Sequence, residues 1–297
     1  MSNAATMPGP VVERRRGEAW TASALIGPAT IFIAICLLAP LGFLFRYSLN
    51  DFVAAKKLMV EAVTIANYVK FFTDPYYTAI LWTTVRIAVL VTVACLVLAF
   101  PLAYVVARTQ SRFKNLLIIS IVLPLFVGNS VRAAGWMVVF GNKGFVNATL
   151  LGLGAINQPI EIMFTEKAVI IGIIAVNLPF MVLSLQSVIE GIDRSVEEAA
   201  FSLGAPPVTM FRRVLWPLAL PGIIAGTILC FILAMNAYAT PFLLGGPLFK
   251  MMSPLIYNEF TQKTNWPFGG AIAFILMTVT LGLTIAANLI LSRRATR

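Results

Sequence analysis

The chain has 297 residues, 59% of them hydrophobic and only 11% charged, with a mean hydropathy of +0.89. Soluble domains carry about a quarter charged residues, so a water-soluble globular protein is excluded and a polytopic helical membrane protein is expected. There is no histidine, which removes His-dependent triads and His metal sites, and the net charge of +10 reads as membrane topology with no nucleic-acid role.

Residues 1–23 read as a short cytoplasmic tail. Ala24–Phe45 is too long for a signal-peptide core, is followed by Arg46 and lacks an A-x-A cleavage pattern, so it is expected to be an uncleaved first span. A long loop, Arg46–Ala79, carries Asn67-Tyr68 and Asp74-Pro75, which suit a short helix and a turn. The second span is Ile87–Ala107. The third is Asn115–Val131, continuing past Arg132 to Phe140. After the Gly- and Asn-rich loop Gly141–Lys167 comes the fourth, Ala168–Ile189, then Pro217–Thr240, the loop Pro241–Phe268 and the sixth, Gly269–Ser292, with 293–297 as a tail. Each run meets or approaches the roughly 20 residues that cross a bilayer as a helix.

Twelve Lys/Arg fall on the N-terminal side of this six-span arrangement and eight on the other, in longer loops, so N-in/C-in topology follows from the positive-inside rule. The result is one transmembrane domain, 24–292, embedded in membrane lipid. Cys36, Cys95 and Cys230 all lie in apolar runs and read as small buried hydrophobes. Pro101, Pro124 and Pro179 lie inside spans; they shape the bundle or break helices around a central cavity.

The inner segment 190–217 has the densest local signals. Ser195-Val196-Glu197-Glu198 reads as a capping box starting a short helix that stops at Gly204, which suits a left-handed cap. Pro206-Pro207 prevents continuation, and a second short helix, Val208–Trp216, is expected to end at Pro217. Two short helices held at an angle make a knob that a partner can grip. Ala199, Ala200 and Gly204 form a small-sided face, and Glu197, Glu198, Arg212 and Arg213 form charged rims. An ordinary interfacial amphipathic helix is the plainer alternative.

Glu198-Ala199-Ala200, Gly204 and Pro217 have the spacing of the EAA motif of binding-protein-dependent ABC importers, with Val214 and Trp216 in place of the family's Ile and Leu. The resemblance runs through most of the chain. Asn67-Tyr68, the Pro124…Asn129-Ser130…Arg132 stretch, Leu178-Pro179-Phe180-Met181 and Trp266-Pro267-Phe268-Gly269 are similar to the first permease subunit of spermidine/putrescine importers. It implies an all-α, MetI-like importer permease fold with no catalytic activity or cofactor of its own. It also implies a second permease subunit, two ATPase subunits that bind ATP and Mg, and a periplasmic binding protein. No Walker A pattern occurs in the chain, in keeping with a separate ATPase.

Polar groups inside spans are costly and mark candidate pathway or gate residues: Arg86, Asn129, Arg132, Trp136, Asn177, Asn236 and Tyr238. Arg132 is placed near 25 Å along a straight third span, in its outer part, and Arg86 near the outer end of the second. Both arginines could instead snorkel to headgroups, and the asparagines could join helices. No Asp or Glu lies inside any predicted span, so a polycation would depend on the partner permease for negative charge or on rings such as Trp136 and Tyr238. An amino-acid-derived or anionic solute is the alternative. A non-transporting membrane protein would have no use for the knob, and an intramembrane enzyme would need acid–base or metal groups that the spans lack.

Overall fold

The computed structural model describes residues 14–53 and 58–295. The expected tails lie outside these residues except where α1 begins at Arg14 and α14 runs to Ala295.

In chain order, α1 (Arg14–Ser48) leads to a hairpin of β1 (Asp51–Val53) and β2 (Leu58–Val60), with Phe52 opposite Met59. Then come α2 (Ala66–Thr73), α3 (Pro75–Arg108), α4 (Lys114–Val122), α5 (Asn129–Phe140) and α6 (Phe145–Gly152). The second half holds α7 (Glu166–Glu190), α8 (Arg194–Ser202), α9 (Pro207–Met210), α10 (Trp216–Leu218), α11 (Leu220–Met235), α12 (Ala239–Leu244), α13 (Met252–Thr261) and α14 (Trp266–Ala295).

Among the described residues, four helices are long and apolar enough to cross a membrane unbroken, and two bent helix pairs bring the number to six if each is one span. The second span starts well before Ile87. Asp74 caps α3 by accepting from the Tyr76 amide at 2.9 Å, and Pro75 supplies a first-turn residue that has no amide to satisfy. Arg86 therefore lies inside α3, about 16 Å from its start, and not at its end.

The third predicted span is not one continuous helix: of the two readings of Pro124, the broken helix is the one found. Pro124 lies in a 3-10 turn, Leu123–Phe126, and Val127 and Gly128 are extended, so the segments on either side meet at 99°. A proline that cannot donate, followed by a glycine that leaves the helical region readily, ends the first arm. The arm Lys114–Phe126 is only about 20 Å long, too short to span alone. Arg132 consequently sits on the second arm, and its depth along a straight axis is lost.

The centre of the bundle is α3, α7 and α11. Asn177 is 1% exposed and donates to the Cys230 carbonyl at 3.2 Å, while the Cys230 thiol donates to the Asn177 carbonyl at 3.6 Å. The close approach depends on small residues: a Cβ at Gly226 would lie 2.6 Å from Met181 Sδ, and one at Gly222 2.9 Å from Val188 Cβ. Such side chains replace the hydrophobic drive that helices lack in lipid. Cys95 and Cys230 are buried as expected, but Cys36 is exposed on α1. That helix packs against α14 through Phe45 and Phe274, edge to face at 5.2 Å, and leaves most of its apolar surface outward.

Candidate functional site

The segment 190–218 folds as the two-helix knob the sequence suggested, with a different cap. Asp193, not Ser195, is the N-cap of α8: its Oδ1 accepts from the Ser195 amide at 2.9 Å. This bond holds the Asp193 carboxyl below its usual range, because the charged form is the better acceptor. The helix stops in a Schellman arrangement. Gly204 has φ +77°, its amide donates to the Phe201 carbonyl at 2.9 Å, and the Ala205 amide donates to the Ala200 carbonyl at 3.1 Å.

The second helix does not end at Pro217. It runs from Pro207 to Leu218 through a π-helical stretch, Phe211–Leu215. Pro217 cannot donate to the Arg213 carbonyl, and the wider π turn relieves the clash its ring would otherwise make there. The break comes at Ala219, where the chain bends 70° into α11.

The faces also differ from expectation. Glu197 is no rim residue but a buried clamp, with a side chain 9% exposed. Its Oε1 accepts from Arg108 Nε at 2.9 Å and Nη2 at 2.5 Å, and its Oε2 from the Tyr104 hydroxyl at 2.9 Å. Arg108 also donates to the Ile192 carbonyl at 3.0 Å, and Arg194 returns a bond to the Arg108 carbonyl at 2.6 Å. A second tie is aromatic: Phe100 meets Phe211 edge-on at 4.9 Å and stacks on Trp216 at 5.6 Å. The knob is thus fastened to the C-terminal part of α3 at two points and joins α11 through the bend at Ala219.

Ala200 is half-buried and packs inward, whereas Glu198, Ala199, Gly204, Arg212, Arg213 and Pro217 are exposed. Beside them stand three apolar side chains that no local sequence signal marks: Phe201 at 45%, Leu203 at 88% and Val208 at 69% exposure. An apolar tip rimmed by charge thus stands exposed on a frame fastened at two points.

The remaining candidates separate. Arg86 forms an ion pair with Glu166 at 2.5 Å, joining α3 to the start of α7. Asn177 is the interhelical link already described, and Asn236 donates to its own helix at Ile232. Arg132 Nη2 donates to Asn129 Oδ1 at 2.5 Å, and its buried Nε and Nη1 have no hydrogen-bond partner among the described residues. Trp136 stacks on Phe140 at 4.9 Å. Tyr238 joins Phe242 at 5.4 Å and Tyr257 at 4.8 Å in a cluster that the sequence did not assemble. Packing of α5 against α12 brings the Arg132 helix alongside the residues following Tyr238.

The sequence profile of the family described as binding-protein-dependent transport system inner membrane components matches residues 62–297. The chain belongs to this family. It is a permease of the ABC importer class and a multi-pass inner-membrane component. It is 37% identical over 235 residues to the spermidine/putrescine transport system permease protein PotB of Haemophilus influenzae, covering 78% of this chain and 82% of that one. PotB of Escherichia coli K12 is 38% identical over 75% of this chain and 80% of its own length. Among solved structures, a chain of the bacterial alginate ABC transporter in complex with alginate pentasaccharide-bound periplasmic protein aligns with TM-score 0.77, 19% identity and coverage of 97% and 99%. That likeness establishes the MetI-like permease fold, as does a MetNI methionine transporter chain at TM-score 0.56 and 18% identity, covering 75% of this chain and 100% of that one.

Proposed function

We propose that this permease is one half of the translocation pathway of an ATP-driven importer for polyamine-like cations. In this reading it sits N-in/C-in, pairs with a second permease, receives solute from a periplasmic binding protein, and grips a separate ATPase through the knob at 190–217. ATP and Mg belong to that ATPase. The observation that carries the substrate class is the 37% identity to PotB over most of both chains. The observation that supports coupling is the clamped knob with its exposed tip at Leu203. A second reading, an amino-acid-derived or anionic solute, is favoured by the absence of acidic residues from the interior of the apolar spans and by Arg132.

Competition assays in vesicles containing the assembled importer test the substrate. Spermidine or putrescine should enter in an ATP-dependent manner, and amino-acid-like compounds should not compete. Uptake of only the latter would give the second reading. For the gate, Arg132→Ala should cut uptake roughly ten- to a hundred-fold, the cost of losing a charge-assisted contact of about 1.5–3 kcal/mol. Normal uptake in that variant would remove Arg132 from the pathway. For topology, a reporter placed after Arg297 should be cytoplasmic, and cysteines introduced in Gly141–Lys167 should react with an impermeant reagent from outside. Protection of that loop would reverse the orientation or change the number of spans.

A further inference from the structure

Tyr77 and Arg108 lie at opposite ends of α3, so the surface around Tyr77 is the end of the bundle away from the knob. There β1, α2, the start of α3 and the α13–α14 connection enclose a cavity of about 700 Å³. This volume is within the roughly 300–1,000 Å³ of small-molecule sites.

One wall of the cavity carries Glu259. Its side chain is 1% exposed, and its Oε1 lies 2.6 Å from Lys263 Nζ. A carboxylate so far from water costs several kcal/mol unless a cation offsets it. Here the cation comes from one helical turn away on a side chain that is itself 56% exposed. The anion is fixed in the wall and the ammonium hangs at the mouth. Glu259 in turn holds the Lys263 pKa above its usual range, so the ammonium stays charged.

Two of the other wall residues offer acceptors. Asn67 spends its amide hydrogens on the Ser48 and Asn50 carbonyls, each at 2.9 Å, which leaves its Oδ1 to accept. Asp51 adds a second carboxylate, and the buried Tyr77 ring forms part of the lining. The remaining cation, Lys70, sits over the Phe268 ring at 4.6 Å and is engaged there.

We propose that this cavity binds the primary ammonium of a small alkylamine, which takes the Glu259 carboxylate over from Lys263. The Lys263 side chain already occupies the position of such a ligand: an ammonium on a flexible alkyl stem, seated on Glu259 and able to swing into water. The site supplies outside the spans the fixed negative charge that the spans lack. It rests on the cationic-solute reading above and gives that solute a first contact on this chain.

Calorimetric titration of putrescine tests the site, using the full chain with its co-expressed partners in nanodiscs, without binding protein and at matched ionic strength. Lys263→Met removes the tethered competitor and should tighten putrescine binding about tenfold, the order expected for a charge-assisted bond no longer contested. Glu259→Gln should abolish binding, and 1,4-butanediol should not bind. Unchanged or weaker putrescine binding in Lys263→Met would overturn the proposal, as would equal binding of the diol. Lys263→Met decides the matter if Glu259→Gln lowers the yield of folded protein. Uptake measured in parallel separates the two claims. If no polyamine is imported yet Lys263→Met still tightens binding, the substrate reading falls and the site stands. If polyamines are imported and Lys263→Met changes nothing, the site falls alone.

Discussion

Gly204→Asp is expected to lower ATP-driven uptake by about tenfold or more while the protein still inserts in the membrane and survives purification. Gly204 adopts φ +77°, a conformation that costs most L-residues roughly 1–2 kcal/mol. A Cβ there would meet nothing within 4 Å in this chain, so the penalty is the backbone's and not a clash. Asp and Asn tolerate the left-handed region better than other side chains, so the Schellman turn should persist in both. What Asp adds is a charge beside the exposed Leu203, in a contact expected to exclude water. Gly204→Asn keeps the turn and stays neutral, and should lose far less. Equal uptake by wild type and Gly204→Asp would take the tip out of the mechanism; equal damage by Asn and Asp would place the fault in the turn.

Glu197→Ala should be the most destabilising single change in the knob. It strands the Arg108 guanidinium, 13% exposed, and takes the acceptor from the Tyr104 hydroxyl. Removing one member of a buried, hydrogen-bonded pair costs about 3–5 kcal/mol. Thermal unfolding should shift down clearly, and ATP hydrolysis should lose its dependence on solute because the knob no longer moves with α3. The double variant Glu197→Leu with Arg108→Leu separates the two effects, since apolar replacement of a buried pair is often neutral for stability. Recovery of the unfolding temperature without recovery of coupling is the expected pattern. Full coupling in Glu197→Ala would show that the aromatic tie from Phe100 to Phe211 and Trp216 is sufficient.

Local signals were legible in the sequence where they were covalently close. The short helix and turn at Asn67-Tyr68 and Asp74-Pro75 are α2 and the cap of α3, and Gly204 stops α8 in the left-handed conformation. Apolar runs located the spans because lipid demands long satisfied helices. Their ends and breaks were less legible. Pro124 marks either a shaped or a broken helix in the sequence, and only the extended Val127-Gly128 pair makes it a 99° corner; Pro217 looks like a stop, yet a π turn lets the helix pass it. Partnerships across the chain were not legible at all. Glu197 and Arg108 are 89 residues apart, and Arg86 and Glu166 are 80 apart, so nothing local pairs them. Glu259 was missed for another reason: it belongs to a loop by sequence, and only the fold buries it.

The knob at 190–217 is proposed as the surface on which an ATPase acts. Leu203, at 88% exposure, is the residue to question directly. A photo-crosslinking amino acid placed at Leu203 in the intact importer, in native membranes, should give one dominant adduct with the ATP-binding subunit, and its yield should change when ATP is added. Adducts confined to lipid or to the second permease, with the ATPase present and active, would place the ATPase contact elsewhere.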